Sequence, residues 1–444
     1  MTPSKESADL LIFPRWLLPM AQARAVLSNH AVAVSAGRIV AVGPAQEIAA
    51  RFASREHVTR ADHVLLPGFV NAHTRASLSL LRGLPVHGPI MRWLRETVAP
   101  AELRSVSPDF VREGTQLAIA EMLRAGITCF ADSYLFPDEA ARVASEARVR
   151  AVIGLPVAET GSVWAENVTA HFARAERVWD EYRSSPWVSL HFALPPSYAA
   201  SDSLLTRLRS VADELDARIA MPLHETEVEV RDTLSQHGRR PIERLAELGL
   251  LRPGFTALHM NRLEARDIEL AQQTGISVVA CPQSNLRLGS GTCPVAKLAE
   301  RGVSVGLGTD SPVSAGALDL LAESRLAALL ANGSDGSRAL SSMDVLAHAT
   351  LGGAAALGLA SLCGSVEIGK SADLTCIDIA ALGCPPVADV ADTLVFSATR
   401  QQVSDVWVAG HAAVQDGRLL AFDEQEMVAL GRSWAERIQL GVAA

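Results

Sequence analysis

Four apolar runs in the middle of the sequence close on residues that can bind ions or move protons. NAHTR ends on His73 and Arg75, MPLHET on His224 and Glu225, ALHM carries His259, and LGTDS carries Asp310. Side chains alternate along an extended segment, so residues i and i+2 share a face. Two histidines at that spacing would grip a divalent ion. Here the second position is Arg75, which is always protonated and has no lone pair to donate. The stretch therefore reads either as a metal site with one odd residue or as such a site turned to other chemistry. Each residue alone has a bland reading. A histidine after an apolar run is more often structural, an arginine there is usually solvated or ion-paired, and Thr-Asp often caps a helix. The order of the four, each closing a strand-like run, gives them weight together.

Those residues need a scaffold that gathers strand ends. From about 67 to 360, short apolar runs such as GITCFADS, RAVIGLPV, WVSLHFAL and VSVGLGTDS alternate with helical stretches such as DSLLTRLRSVADELD. Repeated strand–helix units predict parallel strands, and about eight of them favour a (β/α)8 barrel over a doubly wound sheet. In a barrel the C-terminal strand ends form the active-site face. The flanks differ. Residues 1–66 and 361–425 are β-rich and punctuated by Gly and Pro, which predicts a small composite β-sandwich domain built from both chain ends. Residues 426–444 read as a terminal helix. The fold class is α/β.

Composition narrows the partners. The 444 residues are 49% hydrophobic and 20% charged, with a formal net charge of −9. There is no basic footprint for nucleic acid and no polybasic membrane patch. No stretch of about 20 apolar residues predicts a membrane span. The first twenty residues lack a signal-peptide core and cleavage site. The six cysteines are scattered without a C-x-x-C pair, which predicts reduced, mostly buried thiols and a cytoplasmic protein.

Beyond the strand ends, the stretches PGFVNAHT, SLLRGL, Trp93–Glu102, AGITCFAD, HET, CPQSNLRLGSGTCPVAKL, GLGTDS and GSVEIGKSADL resemble the amidohydrolase superfamily. Within it they are most similar to methylthioadenosine/S-adenosylhomocysteine deaminases and triazine hydrolases. The resemblance spans nearly the whole chain and implies the same barrel and composite domain. It also implies a Zn²⁺ or Fe²⁺ held by the HxH pair, a third histidine and an aspartate, with the metal lowering the pKa of a bound water. Carried over by residue, His73 and Asp310 match two ligands. Arg75 stands at the second and Pro222 at the third. Glu225 matches the proton-shuttling glutamate and His259 the assisting histidine. Glu102 matches the carboxylate that meets ribose hydroxyls, and Trp93 lies in the lid region. His224 is a further candidate for substrate binding. Pro195 stands where the family has a substrate-side histidine. Relatives of this kind are commonly homodimers or tetramers.

A catalytic zinc site needs about three protein ligands. With two of four lost and a fixed cation beside the gap, no bound cofactor is expected; zinc or iron would need a rearranged site using His73, His259 and Asp310. Three readings follow. The first is a metal-independent enzyme on a small heterocyclic or nucleoside-like substrate, with Arg75, Glu225, His259 and Asp310 doing the chemistry. The second is a metal-dependent deaminase with an altered site. The third is a non-catalytic binding descendant.

Overall fold

The computed structural model describes residues 5–21, 25–84, 90–332 and 339–442. Eight strands of the middle segment form one parallel sheet in sequence order. They are β1 (Phe69–Thr74), β2 (Ile127–Asp132), β3 (Arg150–Pro156), β4 (Val188–Ala193), β5 (Arg218–Leu223), β6 (Phe255–His259), β7 (Ser277–Ala280) and β8 (Ser304–Leu307). These are the apolar runs of the sequence. Strands covered on both faces need continuous apolar character rather than alternation. β1 and β2 are accordingly buried at every position. Side chains pointing inward, including Val70, Ala72, Cys129, Val152, Leu258 and Val279, pack in the lumen. The outward set packs against the surrounding helices.

The barrel closes between β1 and the residues just past β8. Thr74 and Asp310 form an isolated parallel bridge. The His73 carbonyl accepts from the backbone N–H of Thr309 and Asp310 at 3.1 and 3.0 Å. Asn71 answers Thr309 twice: its Oδ1 accepts from Thr309 N at 3.0 Å and its Nδ2 donates to Thr309 Oγ1 at 2.8 Å. Closure needs the two backbones to approach closely, and Gly308 permits it. A Cβ there would lie 2.8 Å from both His73 N and His73 O.

Both chain ends build a second, nine-stranded sheet. Glu6–Leu17 runs parallel to the long strand Phe52–Pro67. Leu374–Asp378 pairs antiparallel with the other edge of that long strand, from Pro67 to His63. The strand that leads into the barrel is thus flanked by both termini of the chain. The last helix, Glu424–Val442, returns to the barrel, where Trp434 Nε1 donates to Glu113 at 2.6 Å. All six cysteines are free thiols, and Cys293 is the least buried. Among the described residues no helix is long and apolar enough to cross a membrane.

The closure contact makes a quantitative expectation. Gly308→Ala forces His73 and β8 apart and is expected to cost about 1–3 kcal/mol, the usual range for overpacking. An unchanged urea midpoint would contradict this closure.

Candidate active site

The strand ends turn sharply where the candidate residues sit. His224, His259, Met260 and Asp310 all have left-handed backbone, with φ of 52°, 73°, 51° and 58°. Non-glycine residues pay for this conformation, and such strain collects at functional sites. The turns set two side chains over the barrel mouth, those of His259 and Asp310, and bring Glu225 beside them.

Two adjoining cavities meet there. One of about 230 Å³ is bordered by Arg75, Trp93, Glu225, Glu229, His259 and Asp310. The other, of about 600 Å³, is bordered by His73, Arg75, Glu102, Tyr134 and Pro195, with largely apolar walls beyond them. Arg75 and Pro222 border both. The arginine therefore stands at the junction between an acid–base compartment and a roomier apolar one. Of the residues singled out in the sequence, Arg75, Glu225, His259, Asp310 and Trp93 come together around the smaller cavity. His73 and Glu102 face the larger one.

His224 does not join them. Its Nε2 accepts from the Ile242 backbone N–H at 3.2 Å, so its Nδ1 carries the proton and donates to the Arg262 carbonyl at 3.0 Å. Burial pushes its pKa down to about 4. A left-handed turn at the strand end rotates this imidazole into the protein, where it staples backbone. The expectation of a substrate contact from His224 is corrected accordingly.

Electrostatics around Arg75 follow from burial and three carboxylates. Burial disfavours the Arg75 cation, but Asp310, Glu102 and Glu225 outweigh it and hold its pKa above the ordinary value. Among the described residues Arg75 has no ion-pair contact, and its buried Nε has no hydrogen-bond partner. Burial would raise the Asp310 carboxyl, yet His73, His259 and Arg75 together hold it well below the usual range. Its Oδ2 accepts from Ser284 Oγ at 2.6 Å and lies 3.2 Å from Ser314 Oγ. Asp310 does not cap a helix; Ser311 does, accepting from Val313 N. Burial, above all, lowers the His73 pKa, against the opposing pull of Asp310. Its Nε2 lies 3.5 Å from Asp310 Oδ1 without a well-formed hydrogen bond, and its ring meets that of His259 edge-on at 5.8 Å between centroids.

Several functional residues were missed in the sequence. Ser284 and Asn285, both in CPQSN, reach Asp310 and His259 respectively. Tyr134 donates to Glu102 Oε1 at 2.7 Å. Glu229 is the least obvious. Thr226 and Glu229 have the T-x-x-E spacing of a capping box, and Thr226 does cap the helix Glu227–His237. The Glu229 carboxylate, however, reaches past the cap. It accepts from Glu225 N at 2.8 Å, His224 N at 3.2 Å and Ser197 Oγ at 3.0 Å. It thus fixes the turn that carries Glu225, while burial raises its pKa to about 7.

Comparison with known proteins points one way. A profile described as the amidohydrolase family matches residues 64–413, and one described as a bacterial imidazolonepropionase-like composite domain matches residues 31–53. A 5-methylthioadenosine/S-adenosylhomocysteine deaminase of Teredinibacter turnerae is 36% identical over 431 residues, covering 97% of this chain and 98% of its own. The enzyme of the same name from Saccharophagus degradans is 36% identical over 437 residues, with 98% of each chain covered. Among solved structures, an adenosine deaminase from Xanthomonas campestris with bound zinc is 41% identical, with a TM-score of 0.97 over 98% of this chain and all of its own. An atrazine chlorohydrolase from Arthrobacter aurescens complexed with zinc, 22% identical, shares the fold at a TM-score of 0.88 over 96% of this chain and 99% of its own.

The zinc in those two structures tests the donor set here. His73 and Asp310 could each give a lone pair, but Arg75 and Pro222 cannot. Among the described residues no three of His, Cys, Asp and Glu converge as a metal set would. A guanidinium about 4 Å from a divalent ion would repel it by roughly 8 kcal/mol at an effective dielectric of 20. The residues present do not fit a zinc ion.

Glu229 yields a test of the turn. Its folded pKa of about 7 exceeds the ordinary 4.5, so the folded protein binds more protons between those values. Its contribution to stability therefore falls as pH rises through that window. Glu229→Gln is expected to flatten this part of the stability–pH curve, measured by urea denaturation at pH 5 to 7. An unaltered slope would contradict the assignment.

Proposed function

We propose that this chain, which belongs to the amidohydrolase family, is a hydrolytic deaminase that works without a metal on a small amino-heterocycle or nucleoside-like substrate. The observation that carries the reading is Arg75. It is a buried-stem cation without an ion-pair partner, standing at the junction of two cavities beside His73 and Asp310. The names of the relatives support C–N hydrolysis, and their high coverage supports a shared scaffold.

Hydrolysis at an amino-substituted ring carbon needs three things. A base must take the proton of the attacking water, a positive group must face the negative charge that builds on addition, and an acid must protonate the departing nitrogen. His259 and Glu225 are the proton-moving pair in this reading. Arg75 supplies the fixed positive charge, and Asp310, held by Ser284, balances it. The smaller cavity takes the reacting ring. Glu102, steadied by Tyr134, meets a polar arm of the substrate at the larger cavity, and Trp93 closes over the smaller one.

One observation favours a second reading. The His73 Nε2 is buried and lacks a well-formed hydrogen bond, and His259 and Asp310 flank it. A shift of these three could assemble a weak metal site of altered geometry. The two readings separate in one assay: ammonia release from adenosine and 5-methylthioadenosine by chelator-treated protein. Activity that survives chelation, and falls about 100-fold or more in Arg75→Met, is the outcome expected here. Activity that disappears on chelation and returns with added zinc would support the second reading instead.

A further inference from the structure

We propose that Asn285 and Asn261 are positioning residues that lock His259 into one tautomer, with the proton on Nδ1 and the Nε2 lone pair aimed into the smaller cavity. The proposal rests on the reading above only in treating His259 as a proton acceptor; the tautomer itself follows from hydrogen-bond direction.

The argument starts from groups whose roles are fixed. The Glu225 carbonyl can only accept, so the Asn261 atom 3.1 Å from it is Nδ2. The second Nδ2 hydrogen goes to Ser290 Oγ at 3.2 Å. The Ser290 hydroxyl is itself turned toward the Asn285 carbonyl, at 3.3 Å. Both hydrogens of the Asn261 amide are then used, and its Oδ1 must accept. It does so from Asn285 Nδ2 at 2.8 Å. That leaves Asn285 Oδ1 toward His259 Nδ1, at 2.9 Å, as an acceptor that needs a proton on the ring. The neutral imidazole has one proton, so Nε2 is left with a lone pair.

Burial makes the direction binding. Asn285, His259 and Asn261 are 1%, 3% and 8% exposed. A reversed amide would set two donors or two acceptors face to face with little water to relieve them, at a cost of about 1–3 kcal/mol for each unsatisfied group. Nε2 has no hydrogen-bond partner among the described residues, and its ring borders the cavity that Glu225, Arg75 and Asp310 also border. The same chain of amides begins on the Glu225 backbone, so the glutamate and the histidine are held in register by one network.

The test reads the ring nitrogens directly. Full-length ¹⁵N-labelled protein is studied at pH 8.5 by long-range ¹H–¹⁵N correlation, with His259→Gln used to identify the His259 signals. The wild type is expected to show a protonated Nδ1 and an unprotonated Nε2. Asn285→Leu should lose that preference, and Asn285→Asp, which gives up the bond to Asn261 Oδ1 but keeps the acceptor toward Nδ1, should retain it. A wild-type ring protonated on Nε2, or an Asn285→Leu ring unchanged from wild type, would overturn the proposal. If Asn285→Leu does not fold, the wild-type and Asn285→Asp spectra still decide. Where deaminase activity is measurable, Asn285→Leu should lower kcat at least tenfold with KM nearly unchanged, and Asn285→Asp should recover much of it. Absence of activity in the wild type would count against the proposed function and leave the tautomer result standing.

Discussion

A permanently charged guanidinium at the mouth of the barrel is the constraint to which the rest of the site conforms. Arg75 cannot shed its proton. Its charge is tolerated because Asp310, Glu102 and Glu225 stand near it, and because Asp310 is kept ionised by His73, His259 and Arg75 itself. Ser284 and Ser314 then hold the Asp310 carboxylate, so that it compensates charge without collapsing onto the arginine. Pro222, at the end of β5, borders the same space and offers it no lone pair.

The scaffold around this charge is conventional in its physics. Parallel strands buried on both faces bring their C-terminal ends to one rim, and the rim is closed by Asn71, Thr309 and the close approach at Gly308. Left-handed turns at His259 and Asp310 store strain where the side chains must be aimed. The carboxylate of Glu229 and the amides of Asn261 and Asn285 fix the Glu225 turn and the His259 ring from behind. Fold and site are thus linked through backbone: the groups that hold Glu225 grip its N–H and C=O and leave its side chain to the cavity.

Much of this was legible in the chain, for identifiable reasons. The barrel could be read because fully buried strands must be continuously apolar and must alternate with helices. His73, Arg75, Glu225, His259 and Asp310 could be read because each closes such a run. His224 misled because adjacency to Glu225 in sequence says nothing about a turn that rotates one of the two inward. Glu229 was hidden by its resemblance to an ordinary capping residue. Asn285, in the helix Pro282–Leu288, was hidden because its partner lies on a strand end 26 residues away. Strand ends announce themselves locally, whereas the residues that orient them act across the barrel.

The central claim is that Arg75 and Pro222 have replaced metal chemistry by fixed charge. The most direct measurement is the zinc content of purified, untagged protein by elemental analysis, before and after zinc incubation and dialysis, alongside the double variant Arg75→His with Pro222→His. This account expects less than about 0.1 zinc per chain in the wild type under both conditions, a level that an excluded divalent charge implies, and near-stoichiometric zinc in the double variant. A stoichiometric ion that survives dialysis in the wild type would contradict it.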